Sequence, residues 1–153
     1  MTEARGDSAL VIVNDRADLA VLSRAAGVHV GQEDLSPADV RRIAGPEAIV
    51  GLSTHTRDQI AAAVVEPISY LAIGPVFTTA TKATGYDALG YAAVEEAVNQ
   101  AGQYDLPVVA IGGITLATAP RVVEAGASAV AIIGDLLTVD PEARVREYLA
   151  ALA

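Results

Sequence analysis

Six short β-branched runs recur along this chain, and most end at a glycine or a small polar residue. They are Ala9–Asn14, Val28–Gly31, Ala48–Ser53, Tyr70–Gly74, Pro107–Gly112 and Ala129–Gly134. Near-continuous apolar runs of this kind read as strands buried on both faces, as in a parallel sheet. Helical patterns lie between them. Ser36 suits an N-cap with Pro37 at the first helical position, opening a helix to Ala44. Thr56–Val65, Tyr91–Ala101 and Thr118–Ala125 carry apolar residues at helical spacing. Gly126 suits a helix C-terminus, and Pro141–Leu152 reads as a final helix. The strand ends recur about every 20 residues, the length of a compact βα unit. One interval is nearly twice as long. It holds Pro75–Gly90, a Thr/Gly-rich loop of the length that is functional when it occurs in a compact domain.

Six βα units in series predict an α/β fold, either a (β/α) barrel or an open doubly wound sheet. A closed eight-fold barrel usually needs about 200 residues or more. At 153 residues, the chain is expected to form a single domain over residues 1–153. That domain is either an open sheet or a barrel two units short, and periodicity does not choose between them.

Composition narrows the function. With 19 acidic and 10 basic side chains, the net charge is −9, which argues against nucleic acid and anionic membrane surfaces. The chain has no cysteine, which excludes disulfides, zinc–thiolate sites and a cysteine nucleophile. The polar N-terminus lacks the apolar core of a secretory signal. The longest charge-free stretches, Pro67–Thr81 and Leu106–Pro120, are short and broken by Gly and Pro. A cytoplasmic protein without membrane partners is expected.

In either architecture, ligands bind at the C-terminal ends of the strands. Asn14 and Asp15, Gln32–Asp34, Ser53–His55, Thr78–Lys82, Gly112–Gly113 and Gly134–Asp135 all fall there. Asp15 and Asp34 follow adjacent strands. Two hard carboxylates suit a magnesium ion that keeps waters and bridges to phosphates, but Asp also caps helices. Lys82 is the only lysine. Among hydroxyls it suits an anionic leaving group, or else it is a solvated loop residue. Glycines at Gly112–Gly113 and Gly134 let backbone N–H groups approach a phosphate. His29 reads as a satisfied core or rim histidine, and His55 as a residue orienting its turn. Tyr70, Tyr91 and Tyr148 read as core or helix-face residues.

The matching segments are Asn14-Asp15-Arg16, Gly27-Val28-His29-Val30-Gly31-Gln32-Glu33-Asp34-Leu35, Gly51–Thr56, Gly74-Pro75-Val76-Phe77-Thr78-Thr79-Ala80-Thr81-Lys82 and Ala110–Ile114. Together they resemble the thiamine-phosphate synthases over nearly the whole chain. The resemblance implies a (β/α)8 TIM barrel with six of its βα units present. It implies a transferase of thiamine biosynthesis that joins a hydroxymethylpyrimidine pyrophosphate to a hydroxyethylthiazole phosphate, releasing pyrophosphate. Pyrophosphate leaves first in that family, and the thiazole nitrogen attacks the resulting pyrimidine-methyl cation. By the same resemblance, Asp15 and Asp34 hold magnesium, and Asn14, Ser53 and Lys82 contact the pyrophosphate as the catalytic set. Thr79, Thr81, Gly113 and the backbone of Ile133 and Gly134 place the thiazole phosphate.

Two departures follow. Gly134 stands where the family often has serine. The first two βα units, with a Gln-x-Arg-x-Lys motif that grips pyrophosphate, have no counterpart in these residues. The isolated chain is therefore expected to be poorly active. Its open edge leaves room for a homo-oligomer or a covering partner. The alternatives are a thiazole-phosphate-binding remnant and the sister thiazole tautomerases. The tautomerases typically carry a histidine where Pro75 stands.

Overall fold

A computed structural model describes residues 9–79 and 85–153. Six strands form one parallel sheet in sequence order: β1 (Ile12–Asn14), β2 (Gly27–Val30), β3 (Ile49–Thr54), β4 (Tyr70–Ile73), β5 (Val108–Ile111) and β6 (Ala129–Ala131). A doubly wound sheet would reverse its strand order, and this one does not. The strands instead make a curled half-barrel with a helix after each: α1 (Ala17–Ser23), α2 (Pro37–Ala44), α3 (Arg57–Ala63), α4 (Gly90–Ala101), α5 (Ala119–Glu124) and α6 (Pro141–Ala151). The partial-barrel expectation therefore holds over the open-sheet one.

Alternation along the strands sorts side chains to two faces. Val28, Val30, Val50, Leu52, Leu71, Ile73, Val108 and Ala110 are buried in one cluster with Val40, Ile60, Val94 and Val122 of the helices. Each large aliphatic side chain so buried contributes about 1.5–3 kcal/mol. The other face looks into the lumen and carries Asn14, His29, Gly51, Ser53 and Tyr70. Burial on both faces holds for much of β2–β4 but not for the edges. β1 and β6, each paired on one side only, are half-exposed. Large apolar side chains lie exposed near both edges, among them Leu10 and Leu22 beside β1 and Leu137 and Leu149 beyond β6.

The helix starts follow local chemistry. The Ser36 hydroxyl accepts from the Asp39 N–H at 3.2 Å, with Pro37 opening α2. The Thr56 hydroxyl accepts from the Gln59 N–H at 3.2 Å, while Gln59 Oε1 accepts from the His55 N–H at 2.7 Å. Asp140 caps α6 through the Ala143 N–H at 2.9 Å. The helix α1 has no side-chain cap, and sequence periodicity did not single it out. Among the described residues no helix is long and apolar enough to cross a membrane.

The end of the sheet away from the strand C-termini is tied by Arg41 of α2. Its guanidinium donates to the carbonyls of Pro46 (2.6 Å), Ala48 (3.0 Å) and Pro67 (2.5 Å) and to the Ser69 hydroxyl (3.1 Å). Ser69 in turn accepts from the Val50 N–H at 3.0 Å. At the other end, Tyr148 of α6 donates to Asp135 at 2.6 Å, and the Leu116 N–H donates to the same carboxylate oxygen at 3.0 Å. The Tyr148 bond, ahead of the Leu116 N–H and nearby Arg144, holds the Asp135 carboxyl below its ordinary value despite opposing desolvation. Burial, then the bond to Asp135, pushes the Tyr148 hydroxyl up.

Two stability tests follow. Arg41→Ala should lower unfolding free energy by about 2 kcal/mol. Arg41→Lys should recover only part of it, because an ammonium cannot span three diverging carbonyls. Denaturant titration of both variants decides this, and full recovery by lysine would refute the multidentate role. Because the folded Asp135 pKa is depressed, its stabilisation is present above the ordinary value of 3.8 and lost as pH falls below it. Tyr148→Phe should therefore cost about 1–2 kcal/mol at pH 7. The cost should shrink below about pH 4. A pH-independent penalty in thermal melts would contradict the assignment.

Candidate functional site

Parallel pairing in sequence order brings every strand C-terminus to one rim. Residues paired across neighbouring strands share a face, so Asn14, His29, Gly51 and Tyr70 form one lumen-facing row through β1–β4. The centre of the row is a glycine because nothing larger fits. A Cβ on Gly51 would run into the Tyr70 ring and would lie 2.6 Å from His29 Nδ1. The two rings close over it, stacked with centroids 5.6 Å apart. His29 Nδ1 lies 2.9 Å from the Tyr70 hydroxyl, and Nε2 lies 2.8 Å from the Ser53 hydroxyl, one layer nearer the rim. Burial raises the Tyr70 pKa above its ordinary value of 10.0, so the phenol keeps its proton.

Asn14 ends β1, and the chain turns sharply after it. Asp15 has a φ of +62°, and the Arg16 N–H returns to the Asn14 carbonyl at 2.7 Å. A left-handed aspartate is uncommon, and such outliers concentrate at working sites. The Asp15 N–H donates to the His29 carbonyl at 2.8 Å, which fixes this turn against β2. Asp34 lies in the loop after β2, where its Oδ2 accepts from the Gly31 N–H at 2.8 Å. Gln32 of the same loop donates to the Ser53 carbonyl at 2.7 Å. Neither aspartate serves as a helix cap: the caps of α1 and α2 are Arg16 and Ser36. Among the described residues no three His, Asp or Glu side chains converge. Two hard carboxylates on neighbouring loops fit magnesium, which takes few protein ligands and completes its shell with water and phosphate oxygens.

The other half of the rim is built from the loops after β4, β5 and β6. The loop after β4 folds onto the β5 turn, with the Val76 N–H donating to Ile111 (2.9 Å) and the Phe77 N–H to Gly112 (3.0 Å). Gly113 has a φ of +64°, and a Cβ there would lie 2.5 Å from the Thr78 carbonyl. Thr79 and Gly113 are thus brought into one neighbourhood. Ile133 and Gly134 follow β6, and the Leu116–Asp135 bond joins their loop to that of β5. Thr81 and Lys82 lie outside the described residues.

His55 orients its turn as expected, with Nδ1 donating to the Gly74 carbonyl at 2.5 Å and its ring stacked on Tyr86. Sequence reading missed Tyr70, which it treated as a core or helix-face residue, and Gln32, which it noted only by position. It also missed the bond from Tyr148 to Asp135. No spacing in the sequence marks Tyr70: His29, Gly51 and Tyr70 come into one row only through the cross-strand register, in which Gly51 pairs with both.

Residues 2–136 match the family described as thiamine monophosphate synthase. The thiamine-phosphate synthase of Koribacter versatilis (strain Ellin345) is 44% identical over 142 residues, covering 93% of this chain and 65% of that protein. The thiamine-phosphate synthase of Synechococcus sp. (strain WH7803) is 46% identical over 146 residues, covering 95% of this chain and 40% of that protein. The chain thus spans less than two thirds of these relatives. A solved structure of thiamine phosphate pyrophosphorylase from Pyrococcus furiosus superposes with a TM-score of 0.84 at 30% identity, covering 94% of this chain and 67% of that one. A 3-hexulose-6-phosphate synthase shares the fold at a TM-score of 0.62 and 21% identity, over 90% of this chain and 67% of that one. On the family match and the Pyrococcus superposition, this chain belongs to the thiamine monophosphate synthase family.

Proposed function

We propose that this chain carries the reaction rim of a thiamine-phosphate synthase, within residues 1–153 acting as one partial-barrel domain. The reaction couples a hydroxymethylpyrimidine pyrophosphate to a hydroxyethylthiazole phosphate, giving thiamine phosphate and pyrophosphate in the cytoplasm. The observation that carries this reading is the division of one rim into two unlike halves. The β1–β3 half offers carboxylates, an amide and a hydroxyl: Asp15, Asp34, Asn14 and Ser53. The β4–β6 half offers glycine turns, threonines and backbone, with Gly113 seated beneath the Thr78 carbonyl. A metal-assisted pyrophosphate would take the first half, joined by Lys82 of the segment after β4, and a bare phosphate would take the second.

In this reading, Asp15 and Asp34 hold magnesium, which when bound offsets charge on the pyrophosphate. Asn14, Ser53 and Lys82 contact the leaving pyrophosphate as it separates and its charge grows. Thr79, Thr81, Gly113 and the backbone of Ile133 and Gly134 fix the thiazole phosphate, which holds the thiazole nitrogen toward the carbon that loses pyrophosphate. The chemistry needs positioning and charge stabilisation rather than a strong base, which suits a rim of Asp, Asn, Ser and Thr side chains with glycine turns. The exposed apolar residues beside β1 and beyond β6 suit a covering element that would close the barrel.

Calorimetry of the full chain with pyrophosphate and magnesium tests the assignment. Asp34→Ala and Lys82→Ala should each weaken binding about tenfold, the loss expected for one charge-assisted contact. Unchanged affinity in both variants would discard the site. Binding of thiazole phosphate without any binding of the pyrimidine pyrophosphate would leave a phosphate-binding paralogue instead.

A further inference from the structure

We propose that His29 is a positioning residue that turns the Ser53 hydroxyl outward as a hydrogen-bond donor, with Tyr70 setting the histidine tautomer. The proposal rests on the reading of Ser53 as an anion contact and adds to it the device that orients the serine.

A short chain of donors and acceptors runs through the three side chains. The Tyr70 hydroxyl, His29 Nδ1, His29 Nε2 and the Ser53 hydroxyl lie in sequence at 2.9 Å and 2.8 Å across three adjacent strands. A neutral imidazole has one donor and one acceptor nitrogen, so the chain of bonds runs one way or the other. A phenol is a stronger acid than an alcohol and therefore the better donor, while the alcohol oxygen is the better acceptor. Tyr70 then donates to Nδ1, the proton sits on Nε2, and Nε2–H donates to the Ser53 oxygen. The serine O–H is left to donate toward the rim, where a phosphate oxygen accepts. In the reverse direction the serine gives its proton to Nε2 and turns a lone pair toward the anion, which repels it.

The packing holds this arrangement in register. Gly51 leaves room for the two rings, which stack over it. Gln32 holds the Ser53 carbonyl from the next loop at 2.7 Å, so the serine backbone is fixed as well. His55 provides an internal contrast. Its Nδ1 faces the Gly74 carbonyl at 2.5 Å, and because a carbonyl only accepts, the proton of His55 is on Nδ1. The chain has only these two histidines, and the proposal gives them opposite tautomers.

The first test is long-range proton–nitrogen NMR on the full chain labelled at histidine, at about pH 8, where an ordinary histidine is neutral. His55→Gln assigns the two rings. The expected result is Nε2–H for His29 beside Nδ1–H for His55. A His29 ring protonated on Nδ1 overturns the proposal without reference to any ligand.

The second test is a double-mutant cycle read by pyrophosphate affinity in the presence of magnesium. Tyr70→Phe keeps the stacked ring and should weaken binding about two- to tenfold, the range for one neutral hydrogen bond. Ser53→Ala should weaken it about tenfold or more, as a bond to a charged group. In the Ser53→Ala background, Tyr70→Phe should cost nothing further, since its effect passes through the serine. Equal losses in both backgrounds would reduce Tyr70 and His29 to packing and overturn the proposal. No pyrophosphate binding by the parent chain would overturn the anion reading and with it the role given to Ser53, even with the expected tautomers. Should Tyr70→Phe fail to fold, the tautomer of the parent protein still decides.

Discussion

Parallel pairing of each strand with its successor fixes nearly everything else about this molecule. It sets all six helices on one face and all six strand C-termini on one rim. Its register also decides what the lumen contains. Asn14, His29, Gly51 and Tyr70 meet in a row only because β1–β4 pair as they do, and a one-residue slip would carry a strand's lumen residues to the helix side. The apolar half of each strand guards that register. Val28, Val50 and Leu71 are fully buried, and a one-residue slip that drew each strand back from the rim would put His29, Gly51 and Ala72 in their places, an ionisable ring and two residues too small to fill the space.

Within that frame, small residues determine where larger groups can meet. Gly51 leaves space that two aromatic rings fill, and the polar atoms brought in by those rings satisfy one another. A partly satisfied polar network would cost more than an apolar one, so the serine, histidine and tyrosine have to be considered together. At the opposite end of the rim, the glycine at Gly113 lets one loop lie directly on another. The first glycine makes a polar cluster possible, and the second brings a backbone cradle close to a threonine-rich loop.

The parts of this fold with strong local causes could be read from the sequence. Strand positions came from the apolar runs, and the starts of α2 and α6 came from Ser36 and from Pro141, while Thr56 began the second expected helical stretch. The helix α1 has seven residues and no capping side chain, so its local signal is weak and tertiary contact with β1 and α2 carries it. The choice between a partial barrel and a doubly wound sheet needs strand order, which a period cannot supply. The same limit hid Tyr70: it opens an apolar strand run, and its hydroxyl partner sits 41 positions away on β2. Cross-strand partnership is the information missing from a one-dimensional reading.

The charge distribution makes the orientation of neutral dipoles matter more here than in a basic anion site. The net charge of −9 gives a field that opposes an approaching pyrophosphate. Most of the described arginines are already committed elsewhere. Arg16, Arg42, Arg57, Arg144 and Arg146 pair with carboxylates, Arg41 holds carbonyls, and Arg121 lies over the Tyr91 ring at 4.3 Å. Under the proposed function, an anion on this rim would depend on local donors, on the single lysine, and on a cation that would reverse the sign near Asp15 and Asp34. Under those conditions a hydroxyl that points the wrong way is not compensated by surrounding positive charge. A relay that fixes one serine proton, costing two half-buried rings and a glycine, is physically reasonable for such a site, because the site cannot rely on a positive field to do that work.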